Sequence, residues 1–210
     1  MSRTSSAKKL NHVPEASSSE TAGERVPPRE RIVATALELF REHGIRGIGV
    51  DAIADAALTN KMTLYRHFGS KDELVCETLR RASEKAEAIW RHLEETHPGD
   101  PHGQLKAWVE AVGQRLQGEP SGCDLANAAV ELKSEGHRAH EVIERHKQAQ
   151  RERLARLCAD AGMREPELLA DTLLLLLEGA RISRQAMGSA GCCKQFAKAC
   201  AIAIASCEAD

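Results

Sequence analysis

From Arg29 to the C-terminus, the apolar residues of this 210-residue chain recur every three or four positions and nowhere alternate. Helices are therefore the regular element it can build. Composition agrees: six aromatic residues (Phe40, Tyr65, Phe68, Trp90, Trp108 and Phe196) leave an aliphatic core. Few aromatic and β-branched side chains weigh against an all-β fold. The first stripe is Val33, Ala36, Leu37 and Phe40, with Gly44 as an expected αL stop. A short helix runs from about Val50 to Ala57, with Val50, Ile53, Ala54 and Ala57 on one face. Leu58-Thr59-Asn60 turns the chain, and Asn60 is a good N-cap for a third short helix whose apolar side is Leu64, Tyr65 and Phe68. Ser70-Lys-Asp-Glu73 has the spacing of a capping box. Longer helices are predicted near residues 71–96, 104–117, 124–133, 137–161, 165–188 and 192–207, between breaks such as Pro98–Pro101 and Gly188–Gly191. The expected fold class is all-α: an N-terminal three-helix unit, then a larger helical bundle, about nine helices in total.

Several functional classes fall away. Lys plus Arg is 29 against 31 Asp plus Glu, a net charge of −2, so any polyanion-binding surface must be local. No apolar run reaches the ~18–20 residues that span a bilayer; the leucine run, Leu173 to Leu177, is bounded by Asp171 and Glu178. Residues 1–28 are rich in serine, lack the apolar stretch of a secretory signal, and are expected to form a disordered tail. The seven cysteines are odd in number and contain no CxxC, which points to a reducing cytoplasm rather than a disulfide scaffold. An enzyme, the alternative class, finds no HExxH, Gly-rich phosphate loop or local Ser-His-Asp signature, and no cofactor or metal is called for.

Residues 50–68 have the layout of a helix-turn-helix, with small Ala54 letting the two helices approach and Leu64 closing their core. From Thr59 to Lys71 the bases Lys61, Arg66 and Lys71 and the imidazole of His67 occur without any acid, whereas elsewhere the signs are mixed. Beside Thr63 and Tyr65, such a patch suits phosphate. A solvated basic face on a packed helix pair accounts for the same residues.

Thr63-Leu-Tyr-Arg-His-Phe-Gly-Ser-Lys-Asp-Glu-Leu74 resembles the end of a TetR-type DNA-binding domain. Ala36-Leu-Glu-Leu-Phe40, Gly44 and Ile53-Ala-Asp-Ala-Ala57 match the same pattern upstream. The resemblance covers about residues 29–75, residue by residue. It implies a DNA-binding domain over 29–75 and a ligand-binding and dimerisation domain over 76–210. It also implies a regulator, most often a repressor, that binds a palindromic operator in double-stranded DNA as a homodimer and is released by a small-molecule effector. Asn60, Lys61, Met62 and Thr63 match the start of the recognition helix. Tyr65, His67 and Lys71 match phosphate contacts. Three positions depart from the family pattern. Leu58 stands where glycine is usual, and would cost roughly 1–2 kcal/mol if φ there is positive. Gly49 replaces a capping Ser or Thr. Met62 replaces a small residue and could meet a thymine methyl. A scaffold with a decayed head is a third reading, hinted at by Leu58 and Gly49.

Helix 165–188 is apolar nearly all round and needs a cover, for which a second subunit is the economical answer. Leu173, Leu177, Phe196, Cys200 and Ile204 are the expected interface. Trp108, Val112, Asn127, Val130, Leu174 and Glu178 are the expected lining of the effector pocket, chosen for helix position and mixed polarity. The segment Gly122 to Ala129 resembles one found beside the pocket in a branch of the family. Cys193, Cys200 and Cys207 recur every seven residues, as a thiol sensor or as small packing residues. His137, His140, Glu141 and His146 suit either a metal or a solvated helix.

Overall fold

The computed structural model describes residues 26–118, 122–133 and 136–208, so the expected tail lies almost wholly outside them. The described residues form nine α-helices: α1 (Pro28–His43), α2 (Val50–Ala56), α3 (Lys61–Phe68), α4 (Lys71–Thr96), α5 (Pro101–Gly118), α6 (Asp124–Glu131), α7 (Ala139–Asp160), α8 (Pro166–Met187) and α9 (Phe196–Cys207). Local chemistry sets most boundaries. Asn60 Oδ1 accepts the Thr63 N–H at 2.8 Å and starts α3; Ser70 Oγ accepts the Glu73 N–H at 3.1 Å and starts α4. The capping box is only half formed, because the Glu73 carboxylate turns to Arg138. α5 begins three residues before the predicted start at 104: Asp100 caps it through the Gly103 N–H, and Pro101 suits a first turn whose N–H is not needed. The expected last helix opens instead as a 3₁₀ turn over Cys192–Gln195. Gly44 ends α1 at φ +77°, ψ 160°, which is not αL but a region only glycine enters cheaply.

Three apolar clusters stack along the molecule. Ile32, Val33 and Ala36 of α1 meet Ile53, Ala54, Leu64, Phe68 and Leu74 in the head. Ile45, Val75, Leu79, Leu125, Ala128 and Ile143 form the junction. Trp90, Leu105, Trp108, Leu154, Leu173 and Phe196 belong to the body core. Helix α4 contributes to all three: Leu74 to the head, Val75 to Ala82 to the junction, Trp90 and Leu93 to the body.

The expected interface set needs correction. Leu173, Leu177, Phe196 and Cys200 are buried in the chain's own core, and Ile204 is half-buried against it. Among the large apolar side chains that α8 exposes are Leu168, Leu175 and Ile182, seven residues apart, with Met187 at its end, and α9 exposes Ile202. Because α8 carries leucine round most of its surface, hydrophobicity alone could not say which leucines turn inward. No helix among the described residues is long and apolar enough to cross a membrane.

Candidate nucleic-acid interface and internal cavity

Helix α3 divides cleanly. Leu64 and Phe68 are buried, while Asn60, Lys61, Met62, Tyr65, Arg66 and His67 are exposed and Thr63 is half-exposed. Met62 is 77% exposed, a large apolar side chain left to water unless something covers it. The turn before α3 keeps the left-handed conformation, with Leu58 at φ +52° and its side chain in solvent. Arg31 of α1 over-determines this turn: Nε donates to the Ala57 carbonyl at 3.2 Å and Nη2 to the Leu58 carbonyl at 3.3 Å. Arg29 stacks on the Phe68 ring at 5.4 Å and pairs with Glu77 at 2.8 Å, bracing α3 from the other side.

Two of the expected DNA-contacting cations have partners within the chain. Lys61 Nζ lies 3.0 Å from Asp51 Oδ2 of α2, which raises the lysine pKa through the hydrogen bond and the charge. The acid-free run of sequence therefore meets an acid in space. Lys71 turns inward: Nζ donates to the carbonyls of Ile45 at 2.6 Å and Ile48 at 2.5 Å, and partial burial lowers its pKa. It holds the loop between α1 and α2.

The head is clamped to the body through α6. Arg41, near the end of α1, makes a two-pronged contact with Asp124 at 2.7 and 2.6 Å. At the other end of α6, Glu131 accepts the Ile45 N–H at 2.9 Å and the Arg46 N–H at 2.6 Å. A Cβ on Gly44 would stand 3.0 Å from that carboxylate, a second reason for glycine there.

The opposite side of α6 lines a cavity of about 780 Å³ between α4, α5, α7 and α8. Of the expected lining, Trp108, Val112, Leu174 and Glu178 are present. Asn127 and Val130 are not: Asn127 accepts from Gln185 at 3.3 Å, and Val130 is 70% exposed on the outer face of α6. Gly122 to Ala126 and Ala129 do line the cavity. Ala82 and Ile89 of α4 add apolar wall, and Trp90 stacks with Trp108 at 6.4 Å. His146 also faces inward, its pKa lowered by burial and by Lys147 and Arg181.

The other candidate chemistry is not assembled. His137 sits beside Asp72 at 3.5 Å and accepts the Ala139 N–H at 3.1 Å, away from the cavity wall that holds His146. Among the described residues no three His, Cys, Asp or Glu side chains are placed to hold a metal ion. All seven cysteines are free, and burial pushes the Cys158 thiol to about 12 and the Cys200 thiol to about 11, which makes both poor nucleophiles.

Comparison with known proteins agrees with this geometry. Residues 32–78 match the family described as bacterial regulatory proteins, tetR family. The transcriptional activator FasR of Mycolicibacterium smegmatis is 34% identical over 106 residues, 49% of this chain and 48% of that protein. The transcriptional regulator UidR of Escherichia coli is 31% identical over 122 residues, 57% of each protein. The matched regions thus span about half the length of these relatives. A TetR-family regulator from Streptomyces coelicolor superposes with a TM-score of 0.77 at 24% identity, over 86% of this chain and 95% of that one. Residues 32–78 thus carry the pattern of the tetR family of bacterial regulatory proteins, set on the all-helical fold that TetR-family regulators share.

Proposed function

We propose that the protein is a homodimeric, effector-responsive repressor that grips a palindromic operator through α3. The observation that carries this reading is the split face of α3: an apolar side sealed into the head and a cationic, hydroxyl-bearing side that faces solvent. Lys61, Met62 and Thr63 are assigned to base edges in the major groove, and Asn60, Tyr65 and His67 to the backbone or groove rim. Lys71 is assigned to hold the loop before α2, a change from its expected phosphate contact that follows from its two carbonyl partners.

A second copy is the proposed cover for Leu168, Leu175, Ile182 and Ile202, large apolar side chains that water otherwise wets. Two heads so joined would read half-sites about 34–36 Å apart. The cavity is the proposed effector site. Its connection to the head is short: residues 122–126 and 129 line the cavity, while Asp124 and Glu131 hold Arg41 and the Ile45–Arg46 backbone. A ligand that shifts α6 therefore shifts the head, and by linkage DNA weakens the ligand by the same factor. Cytoplasmic residence fits a protein whose partner is the genome and whose cysteines are free.

Footprinting on the intergenic DNA beside its own gene tests the reading. We expect a protected two-fold symmetric site whose affinity falls steeply with salt. Lys61→Ala and Met62→Ala should change base preference, while Arg66→Ala should weaken all sequences alike. A monomer that protects no duplex at low ionic strength ends the proposal. A promoter reporter distinguishes repression from activation, the role by which FasR is named.

A further inference from the structure

The side chains around the cavity are unbalanced in charge, and the imbalance is concentrated on two helices. Five cations line it, Arg115, Lys147, Arg151, Arg181 and Arg184, against four acids, Asp124, Glu144, Asp171 and Glu178. One acid is already committed elsewhere, because Asp124 holds Arg41, which is not part of the lining. Arg151 and Asp171 neutralise each other in a two-pronged pair at 2.6 and 2.9 Å. Arg184 donates to the Leu116 and Gln117 carbonyls, and Glu144 and Arg115 complete the charged lining. At Glu178, two cations share one oxygen. Glu178 Oε1 accepts from Lys147 Nζ at 2.5 Å and from Arg181 Nη1 at 2.8 Å. That group carries one positive charge more than its carboxylate cancels. The ammonium and the guanidinium each keep further N–H donors, since Lys offers three and Arg five. The facing wall is different in kind: Ala82, Ile89, Trp108, Val112 and Leu116 present little but carbon.

We infer that the cavity takes an amphipathic monoanion, an apolar body ending in a carboxylate, with the apolar part against α4 and α5 and the carboxylate set between Lys147 and Arg181. This rests on reading the cavity as a ligand site, and it names the chemical class of the ligand. An anion there completes a two-cation, two-anion group, and such charge-assisted contacts are stronger away from bulk water. A cationic ligand set at the same point would instead have to displace one of the two cations from Glu178. The volume, about 780 Å³, lies within the usual range for small-molecule sites of roughly 300–1,000 Å³.

The chain supplies its own reporter, for Trp90 and Trp108 are its only tryptophans and both line the cavity. Titrating the intact protein below micellar concentrations with decanoate, decanol and decyltrimethylammonium, and following tryptophan emission, compares three head groups on one chain. We expect decanoate to bind at least tenfold more tightly than decanol, and the cation most weakly. Lys147→Gln and Arg181→Gln should each cut the decanoate-over-decanol preference at least fivefold and leave decanol unchanged. Glu178→Gln should move the preference the other way, strengthening decanoate severalfold, which damage to the fold would not do. Equal binding of the three probes, preference for the cation, no binding of decanoate, or a Glu178→Gln variant that loses decanoate would each overturn the inference. Release of operator DNA is measured separately. Decanoate that binds as expected without loosening DNA leaves the anion preference standing and removes the effector role.

Discussion

In the head, Ile32, Ile53, Leu64 and Leu74 come from four different helices and are all fully buried around one point. In the body, longer helices enclose Trp90, Trp108 and Leu173 in a comparable apolar cluster and yet leave about 780 Å³ unfilled beside it. Short helices of seven and eight residues, α2 and α3, cannot stand without tertiary contacts, so each of their few apolar side chains must be used in packing. Helices of eighteen to twenty-six residues such as α4, α5, α7 and α8 have contacts to spare, and one stretch of wall can be left for something else. The head should therefore answer to volume, and the body to charge.

The widest separation between the two regions should come from core truncation. Leu64→Ala should lose about 2–5 kcal/mol, while Leu174→Ala, half-buried on the cavity wall, should lose less than half as much, since it enlarges an existing space. Chemical denaturation of both variants checks this, and equal losses would erase the contrast. Next comes the clamp between the regions. A double-mutant cycle of Arg41→Ala and Asp124→Asn should give a coupling of about 1–2 kcal/mol, because both side chains are mostly shielded and the contact is two-pronged. The same variants should blunt any effect of a cavity ligand on DNA affinity. Leu58→Gly should stabilise the head by about 0.5–1 kcal/mol: it relieves φ +52° and gives up no packing, partly offset by glycine's larger chain entropy. Gly49→Ser should give the smallest gain, a few tenths of a kcal/mol. Gly49 already has the extended geometry of an N-cap, and a Cβ there meets open space. Thermal melts of these last two variants rank them.

The same division explains what could be read in the residues alone. The head is written locally: Asn60 and Ser70 cap helices three residues away, and Leu64 and Phe68 share a face by spacing. Its supports are not local. Arg31 reaches carbonyls 26 and 27 residues on, and Arg41 meets Asp124 across 83 residues, so no periodicity marks them. Lys61 looked free of acids because Asp51 sits on the previous helix. In the body, α8 has leucine round most of its surface, and only its packing distinguishes inward Leu173 from outward Leu175. Asn127 and Val130 were placed by helix and polarity, whereas α6 turns other residues to the cavity.

The 26 residues of α4 form one continuous helix from the head through the junction to the body. At 1.5 Å per residue its length is about 39 Å, long enough to magnify a small tilt. A tilt of roughly 5° about its body end swings the Lys71 end by about 3 Å, close to the 3.4 Å rise of a DNA base step. Rotations in the body too small to disturb side-chain packing would thus suffice to carry a head by a base pair relative to its target.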